Sequence, residues 1–523
     1  MTGNAELPRK LSVIDSAAIV VGTVIGSAVF IVPNSVAQNL QTVPAFLGVW
    51  VFTGLLSFFG ALAYAELGAM MPSTGGQYVY LREAYGPLPA FLCGWAFFLV
   101  IQSGSIATLA AGFSIYLSYF VPLGPAAARL VSVVLILALT FVNYRGVRQG
   151  AAVQKTFTVL KLAGIGILVA SVLFAAREAA PAAAVPAPFE FRQFGIAMIA
   201  CLWAYEGWYC ISFVAGEVKN PQRNIPLALG LGVATIMAIY LSANLAYLKI
   251  LPLEEIAETP RVAASVAERT LGALGASFVS LTILFSIIGS TNGTILTAAR
   301  VYFAQARDGL FFSRVAEIHP RFETPGFSLL FQGIWASILA ASGSYEKLFS
   351  YVIFAAWIFY GMTVTGVLIL RRTQRDRERP YRMWGYPVTP ILFAGVSFWF
   401  VGNTLVTTPG PSLVGLAIIA TGVPVYFCWR SALPTPVKVH MGLCGVSFLV
   451  QFTANADIAR WVPYAFLLVW LSGLLLLYTL ILRRRLNWAR WVLVFWTFPF
   501  GILLAYPSVT AFLGSGKGGD SSR

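Results

Sequence analysis

Charged residues, histidine and cysteine are all scarce in this 523-residue chain. Only 11% of its residues are charged, whereas soluble domains have about 25%. Hydrophobic residues make up 58% of the chain, and the mean hydropathy is +0.78. A soluble fold does not need so large an apolar fraction, so the composition excludes an ordinary globular protein. The five cysteines lie inside apolar segments without the spacing of a zinc site, which indicates small buried side chains.

The two histidines, His319 and His440, lie near predicted span ends or loops, without an HExxH motif or a cluster of acidic residues. An integral membrane enzyme is therefore a distant alternative, and we predict no catalytic residue, cofactor or metal site. Basic residues outnumber acidic ones by 35 to 20. They fall in loops between apolar segments, where such residues orient a membrane protein, so we predict no binding of nucleic acid.

Apolar segments long enough to cross a hydrocarbon core of about 30 Å recur from end to end. Basic residues concentrate in every second loop, most densely at 371–382. This asymmetry predicts a multi-pass protein of the inner or plasma membrane with a cytoplasmic amino terminus. Two or three further spans fit in residues 431–523. The candidate spans before that region are 14–37, 44–67, 88–120, 128–144, 156–175, 194–216, 226–249, 273–299, 326–342, 347–370, 387–406 and 411–430.

The first and sixth of these spans are interrupted near their middle, at residues 21–30 and 202–208. Backbone groups left unpaired in hydrocarbon are costly, so non-helical backbone at that depth survives only against a cavity or buried in protein. Paired interruptions in two halves of a chain point to the binding site of a transporter. The sequence therefore predicts a carrier of a small polar solute. A sensor or channel is an alternative, but a fixed central site favours alternating access.

An ordered set of motifs runs through about residues 12–430. The motifs are VGTVIGS at 21–27, YAELG at 64–68, PSTGG at 72–76, GPLPAF at 86–91, WAYEGW at 203–208, GEVKNPQRNIP at 216–226, GSTNG at 289–293 and AR at 299–300. Together they resemble the L-type amino acid transporter family, within the amino acid–polyamine–organocation superfamily. The chain looks like a prokaryotic member of that family. The additional carboxy-terminal spans lie outside the usual twelve.

The resemblance implies an all-α polytopic membrane protein with two inverted five-helix repeats, in which helices 1 and 6 are broken. It assigns 1–178 to the first repeat, 179–371 to the second, 372–430 to helices 11 and 12, and leaves 431–523 for additional transmembrane segments. It also implies sodium-independent transport of amino acids, by exchange or with protons, and we expect neutral amino acids. The alternative is a proton-coupled carrier of cationic amino acids or amines.

The first interruption supplies the predicted carboxylate end of the substrate site, at Ile25, Gly26, Ser27 and Ala28. If the helix unwinds here, the outer half-helix presents free N–H groups and the positive end of its dipole to an anion. Similar proteins carry glycine at the position of Ala28, so the resemblance does not fix the pocket's shape there. The alternative reading is a packing face of small residues, from Gly22 to Gly26.

The sixth span supplies the complementary end, at Trp203, Ala204, Tyr205, Glu206 and Gly207. Carbonyls at the end of its outer half, above all that of Trp203, are predicted to accept from a substrate ammonium. The Trp203 side chain resembles the family's aromatic gate, and a packing tryptophan is the alternative. Glu206 is a functional candidate because a carboxylate at this depth is expensive. Three roles stay open for it: a proton or gating group, a contact to a substrate amine, or the wall of a wet cavity.

Lys161 lies well inside the fifth span, where a lysine costs roughly 2.5–3.5 kcal/mol on insertion scales. The resemblance places it where related transporters bind a sodium ion, with its ammonium bracing the unwound first helix. Extension to the inner membrane surface is the alternative, since Lys155 is near.

Weaker candidates for the transport pathway lie in the third, eighth and tenth spans. They are Ser105, Ser290, Asn292, Trp357 and Tyr360. For the polar ones among them, hydrogen bonding between helices is the alternative role. Eukaryotic family members join a heavy subunit through a cysteine between spans three and four. Residues 121–125 contain none, so we expect only the substrate and membrane lipid as partners.

Overall fold

The structure is a computed structural model that describes residues 6–174, 190–342, 345–407 and 409–430. This part of the chain is helical, apart from connecting segments and one isolated parallel β-bridge between Leu11 and Val218. The prediction of an all-α protein is confirmed. The predicted spans at 431–523 lie outside the described residues.

The first half of the described chain contains eight α-helices. They are α1 (Val13–Val24), α2 (Ala28–Asn39), α3 (Val43–Met70), α4 (Gln77–Tyr85), α5 (Pro87–Ala96), α6 (Gln102–Leu117), α7 (Pro125–Tyr144) and α8 (Val147–Phe174). A π-helical stretch, Phe97–Ile101, joins α5 to α6. Together these three pieces form the third span.

The second half begins with α9 (Phe191–Ala204) and a 3-10 helix, Trp208–Glu217, which together form the sixth span. The remaining α-helices are α10 (Pro221–Ile250), α11 (Leu253–Glu258), α12 (Val262–Leu271), α13 (Gly275–Arg307), α14 (Gly326–Ser342), α15 (Tyr345–Thr373), α16 (Val388–Thr407) and α17 (Pro409–Arg430). Short 3-10 turns precede α13 and α14.

Within the described ranges, nine helical segments are long and apolar enough to cross a membrane. The number is ten when α1 and α2, bent by 42° at their break, count as one span. Shorter apolar helices lie at Gly326–Ser342 and Ser412–Phe427. Each span predicted before residue 431 therefore coincides with an apolar helix, and the prediction of a polytopic membrane protein is confirmed.

The surface of α7 shows how these helices suit a bilayer. Leu130, Val134 and Phe141 are 62%, 56% and 58% exposed, and they recur at the spacing of one helix face. The buried face of the same helix carries the polar Ser132 and Asn143. An apolar outer face with polar groups inside is typical of a helix that packs between lipid and a protein interior.

The two predicted interruptions are present. At the first, α1 ends at Val24 and α2 starts at Ala28, with Ile25 extended at φ −73° and ψ 91°. At the second, α9 ends at Ala204, and Gly207 adopts φ +109°, a conformation that favours glycine because it has no Cβ. The carboxy-terminal half of the sixth span then continues as a 3-10 helix instead of the α-helix that an apolar segment suggests. Helices 1 and 6 are thus both broken.

Candidate functional site

A cavity of about 70 Å³ lies between the two interruptions. A space of this size can hold several water molecules when its walls are polar. Its walls consist of residues from both breaks, from α1, α2, α6, α9 and α13, and from the 3-10 helix of the sixth span. They are Thr23, Val24, Gly26, Ser27, Ala28, Gln102, Ser105, Thr108, Leu109, Trp203, Glu206, Gly207, Tyr209, Cys210, Ser290 and Thr294.

The cavity brings together eight of the residues that the sequence singled out. These are Gly26, Ser27, Ala28, Trp203, Glu206, Gly207, Ser105 and Ser290. Seven others do not belong to its described lining. These are Ile25, Ala204, Tyr205, Lys161, Asn292, Trp357 and Tyr360.

The amino-terminal end of α2 forms one side of the cavity. Ser27 occupies the position before the helix, and its side chain makes no capping hydrogen bond. The first N–H groups of a helix have no acceptor within the helix, and here only that of Phe30 turns back, to the Ser27 carbonyl at 3.1 Å. The free N–H groups and the positive end of the helix dipole suit a carboxylate.

The carbonyls freed at the first break are satisfied by side chains from α8 and α13. The Lys161 ammonium donates to the carbonyls of Gly22 at 2.8 Å, Ile25 at 2.5 Å and Ser286 at 2.9 Å. The Ser286 hydroxyl also lies 2.9 Å from the Ile25 carbonyl, and that of Ser290 lies 3.1 Å from it. Lys161 is fully buried, so it does not extend to the membrane surface. Ile25 contributes to the site through its carbonyl and not as part of the cavity wall.

The second break has a different set of partners. The carbonyl of Trp203, in the last turn of α9, accepts from the Glu206 N–H at 3.0 Å. The carbonyl of Ala204 accepts from the Tyr240 hydroxyl at 2.8 Å. The Tyr205 hydroxyl donates to a carbonyl of α3, at Trp50, over 3.2 Å. The polar groups of Ala204 and Tyr205 thus bond to neighbouring helices, and the substrate contact predicted for these two residues stays a prediction.

Glu206 is held through one of its two carboxylate oxygens. Its Oε1 accepts from the Tyr209 hydroxyl at 2.8 Å and from the Tyr360 hydroxyl. The Tyr209 hydroxyl in turn accepts from the Gln102 amide at 3.0 Å. Within the described residues, Oε2 has no protein donor. The site thus contains a carboxylate with one oxygen engaged by phenols and the other available to a ligand.

Two of the weaker candidates have packing roles. The Asn292 amide donates to the Gly150 carbonyl and the Gln154 side chain, both at 3.0 Å, and its oxygen accepts from Asn143 at 2.8 Å. This network joins α7, α8 and α13, which is the interhelical alternative. Trp357 is not part of the cavity lining, and its ring stacks on Phe393 with centroids 5.7 Å apart.

Several polar residues of the site were not among those predicted from the sequence. The Thr23 and Thr108 hydroxyls are buried at the cavity without a protein partner in the described region. The hydroxyl of a threonine in an apolar helix can bond to a carbonyl of its own helix or lie at a cavity. The sequence around an isolated threonine does not distinguish these two cases. Tyr240 and Ser286 were also missed. For Ser286 a signal exists: it lies one helical turn before Ser290, on the same face.

Two broken helices whose interruptions meet at one polar cavity are typical of a secondary transporter. Comparison with known proteins identifies the family. The model of the amino acid permease family, described as "Amino acid permease", matches residues 11–429, and the chain belongs to this family of the amino acid–polyamine–organocation superfamily. The predicted resemblance is confirmed. The protein is a transporter and not an enzyme.

Several transporters are similar to this chain over most of their length. The b(0,+)-type amino acid transporter 1 of Homo sapiens is 34% identical over 455 residues, covering 83% of this chain and 92% of the relative. The serine/threonine exchanger SteT of Bacillus subtilis (strain 168) is 33% identical, covering 82% and 98%. The large neutral amino acids transporter small subunit 2 of Mus musculus is 32% identical, covering 87% and 89%.

Proposed function

We propose that this protein is a sodium-independent amino acid transporter that works by alternating access. The observation that carries the proposal is the pair of opposite main-chain ends around one cavity. The N–H groups at the start of α2 suit the carboxylate of an amino acid, and the Trp203 carbonyl at the end of α9 suits its ammonium. These groups recognise the part that all amino acids share. The preference for particular substrate side chains then depends on the other residues that line the cavity.

The contacts of Lys161 support independence from sodium. Three carbonyls and, at 3.4 Å, the Ser290 hydroxyl surround its ammonium. Oxygen atoms in such a set are the ligands of hard cations, and here a fixed positive charge of the protein already occupies the position. The name of the relative SteT, an exchanger, supports exchange as the mode of transport.

The residues of the loops support a proposal for the orientation of the protein in the membrane and for its partners. The basic residues of alternate loops support a cytoplasmic amino terminus in the cell membrane. One relative is named a small subunit, which indicates a partner for that protein. The segment between α6 and α7 of this chain has no cysteine, so we propose that it works without a disulfide-linked heavy subunit.

The test uses purified protein in vesicles with a panel of labelled amino acids. We expect uptake of labelled substrate to rise when an unlabelled substrate is present inside the vesicles. In an exchanger, the internal substrate occupies the binding site and allows the site to reorient to the outside. Replacing external sodium by potassium or choline should leave the rate unchanged. Accumulation driven by a sodium gradient would contradict the proposal, and so would uptake of none of the amino acids.

A second candidate function is transport of cationic amino acids, and the free oxygen of Glu206 favours it. Hydrogen bonds to charged groups contribute about 1.5–3 kcal/mol, or roughly tenfold or more in affinity. An ammonium or guanidinium on the substrate side chain would provide the missing donor to Oε2. The same carboxylate has no comparable partner on an apolar substrate.

The variant Glu206→Gln tests this candidate. We expect uptake of lysine and arginine to fall at least about tenfold, while that of neutral amino acids falls much less. Ser105→Ala is the matched control, because Ser105 also lines the cavity but its hydroxyl already donates to the Ile101 carbonyl at 2.6 Å. Equal losses for cationic and neutral substrates would contradict the candidate. If transport by Glu206→Gln kept the pH dependence of the unaltered protein, Glu206 would not be a proton or gating group.

A further inference from the structure

Two buried tyrosines on α10 point to carbonyls of the first span. Tyr240 and Tyr247 are seven residues apart, so they lie on the same face two turns from each other. The Tyr247 hydroxyl donates to the Val29 carbonyl at 3.3 Å. That carbonyl has no partner in its own helix, because the residue four positions later is Pro33, which lacks an N–H. Tyr247 thus replaces one hydrogen bond within α2.

Tyr240 has a different position, because its hydroxyl contacts both interruptions. It lies 2.8 Å from the Ala204 carbonyl, at the end of α9, and 3.3 Å from the Val24 carbonyl, at the end of α1. Both carbonyls belong to the last turn of a broken helix, where no N–H of the helix reaches them. A hydroxyl has one proton, so it donates to one of the two at a time, and the shorter contact is the one to Ala204.

The ring of Tyr240 is fixed by its neighbours. It packs edge-on against Trp50 with centroids 5.6 Å apart and against Tyr205 with centroids 5.0 Å apart. The residue is fully buried. The hydroxyl therefore has little freedom to follow one broken end away from the other. A change in the separation of the two ends costs the hydrogen bond or displaces the ring.

We propose that Tyr240 is a positioning residue that sets the distance between the two broken helices. The inference rests on the proposed function, in which one break binds the carboxylate of the substrate and the other its ammonium. The distance between the breaks then decides which separation of these two groups the site accepts. Tyr240 would select α-amino acids over β-amino acids, in which one more carbon lies between the groups, without contacting the substrate.

The experiment compares exchange of an α-amino acid and its β-homologue by the full-length protein in vesicles. For Tyr240→Phe we expect the ratio of the two half-saturation constants to shift about fivefold toward the β-homologue, which corresponds to one hydrogen bond of about 1 kcal/mol. General damage to the fold would lower uptake of both compounds without changing the ratio. Tyr247→Phe is the matched control, since it removes a hydroxyl contact of 3.3 Å to α2 in the same span, and this contact does not join the two broken ends.

The outcomes separate this inference from the proposed function. If the unaltered protein carries no amino acid, the proposed function fails. If it carries α-amino acids and Tyr240→Phe keeps the original ratio, the positioning role alone is refuted, and the same holds if Tyr247→Phe shifts the ratio equally. Should Tyr240→Phe not fold, 3-fluorotyrosine at position 240 keeps the ring and strengthens the donor. It must then shift the ratio toward the α-amino acid, and an unchanged ratio refutes the role.

Discussion

Replacement of Lys161 by alanine is expected to reduce amino acid exchange to the background of empty vesicles. The ammonium holds the carbonyl of Gly22, in the last turn of α1, and that of Ile25, the first residue after α1, together with a carbonyl of α13 at Ser286. A buried acceptor that loses its donor costs about 1–3 kcal/mol. The hydroxyls of α13 can replace only part of these bonds, so we expect the unwound segment to leave the geometry that the substrate needs.

Lys155→Ala is the control for the Lys161 variant. Lys155 is on the same helix, but its side chain is 45% exposed and pairs with Asp15 at 2.8 Å near the surface. Exposed pairs contribute about 0–1 kcal/mol, so exchange should remain within about threefold of the unaltered protein. Uptake of labelled substrate is measured in vesicles with equal amounts of folded protein. Normal exchange by Lys161→Ala would show that the first break keeps its geometry without the ammonium.

The membrane architecture and the breaks could be predicted because both depend on local sequence. A bilayer demands long apolar segments, and twelve of them can be counted before residue 431. Non-helical backbone within such a segment is rare and is marked by residues that tolerate it, such as Gly26 and Gly207. The unusual depth of Lys161 was also visible, since charge inside a span is costly.

The partners of the freed carbonyls could not be predicted, because they come from distant parts of the chain. Tyr240 is 216 residues from Val24, and Ser286 is 261 from Ile25. Which helix face meets which break depends on packing that no local pattern encodes. For the same reason, the hydrogen bonds of the Ala204 carbonyl and the Tyr205 hydroxyl to α10 and α3 could not be predicted from the sixth span alone.

The second large effect is expected from the ion pair between Arg300 on α13 and Glu217 at the end of the sixth span. The guanidinium contacts both carboxylate oxygens, at 2.7 and 3.1 Å, and both side chains are fully buried. The Glu217 carbonyl also accepts from the Leu11 N–H at 2.9 Å. The pair therefore fixes the carboxy-terminal end of the sixth span and, through the main chain, the segment before α1.

Removing either partner alone leaves a buried charge without compensation, which costs about 3–5 kcal/mol. We expect Glu217→Leu and Arg300→Met each to lower the midpoint of thermal unfolding in detergent by many degrees. The double variant should recover most of the loss, because apolar side chains that replace a whole buried pair are often neutral or stabilising. The exposed pair of Lys10 with Glu323 is the control, and Glu323→Gln should change the midpoint little. Additive losses in the double variant would mean that the fold depends on the packing of these side chains and not on their charges.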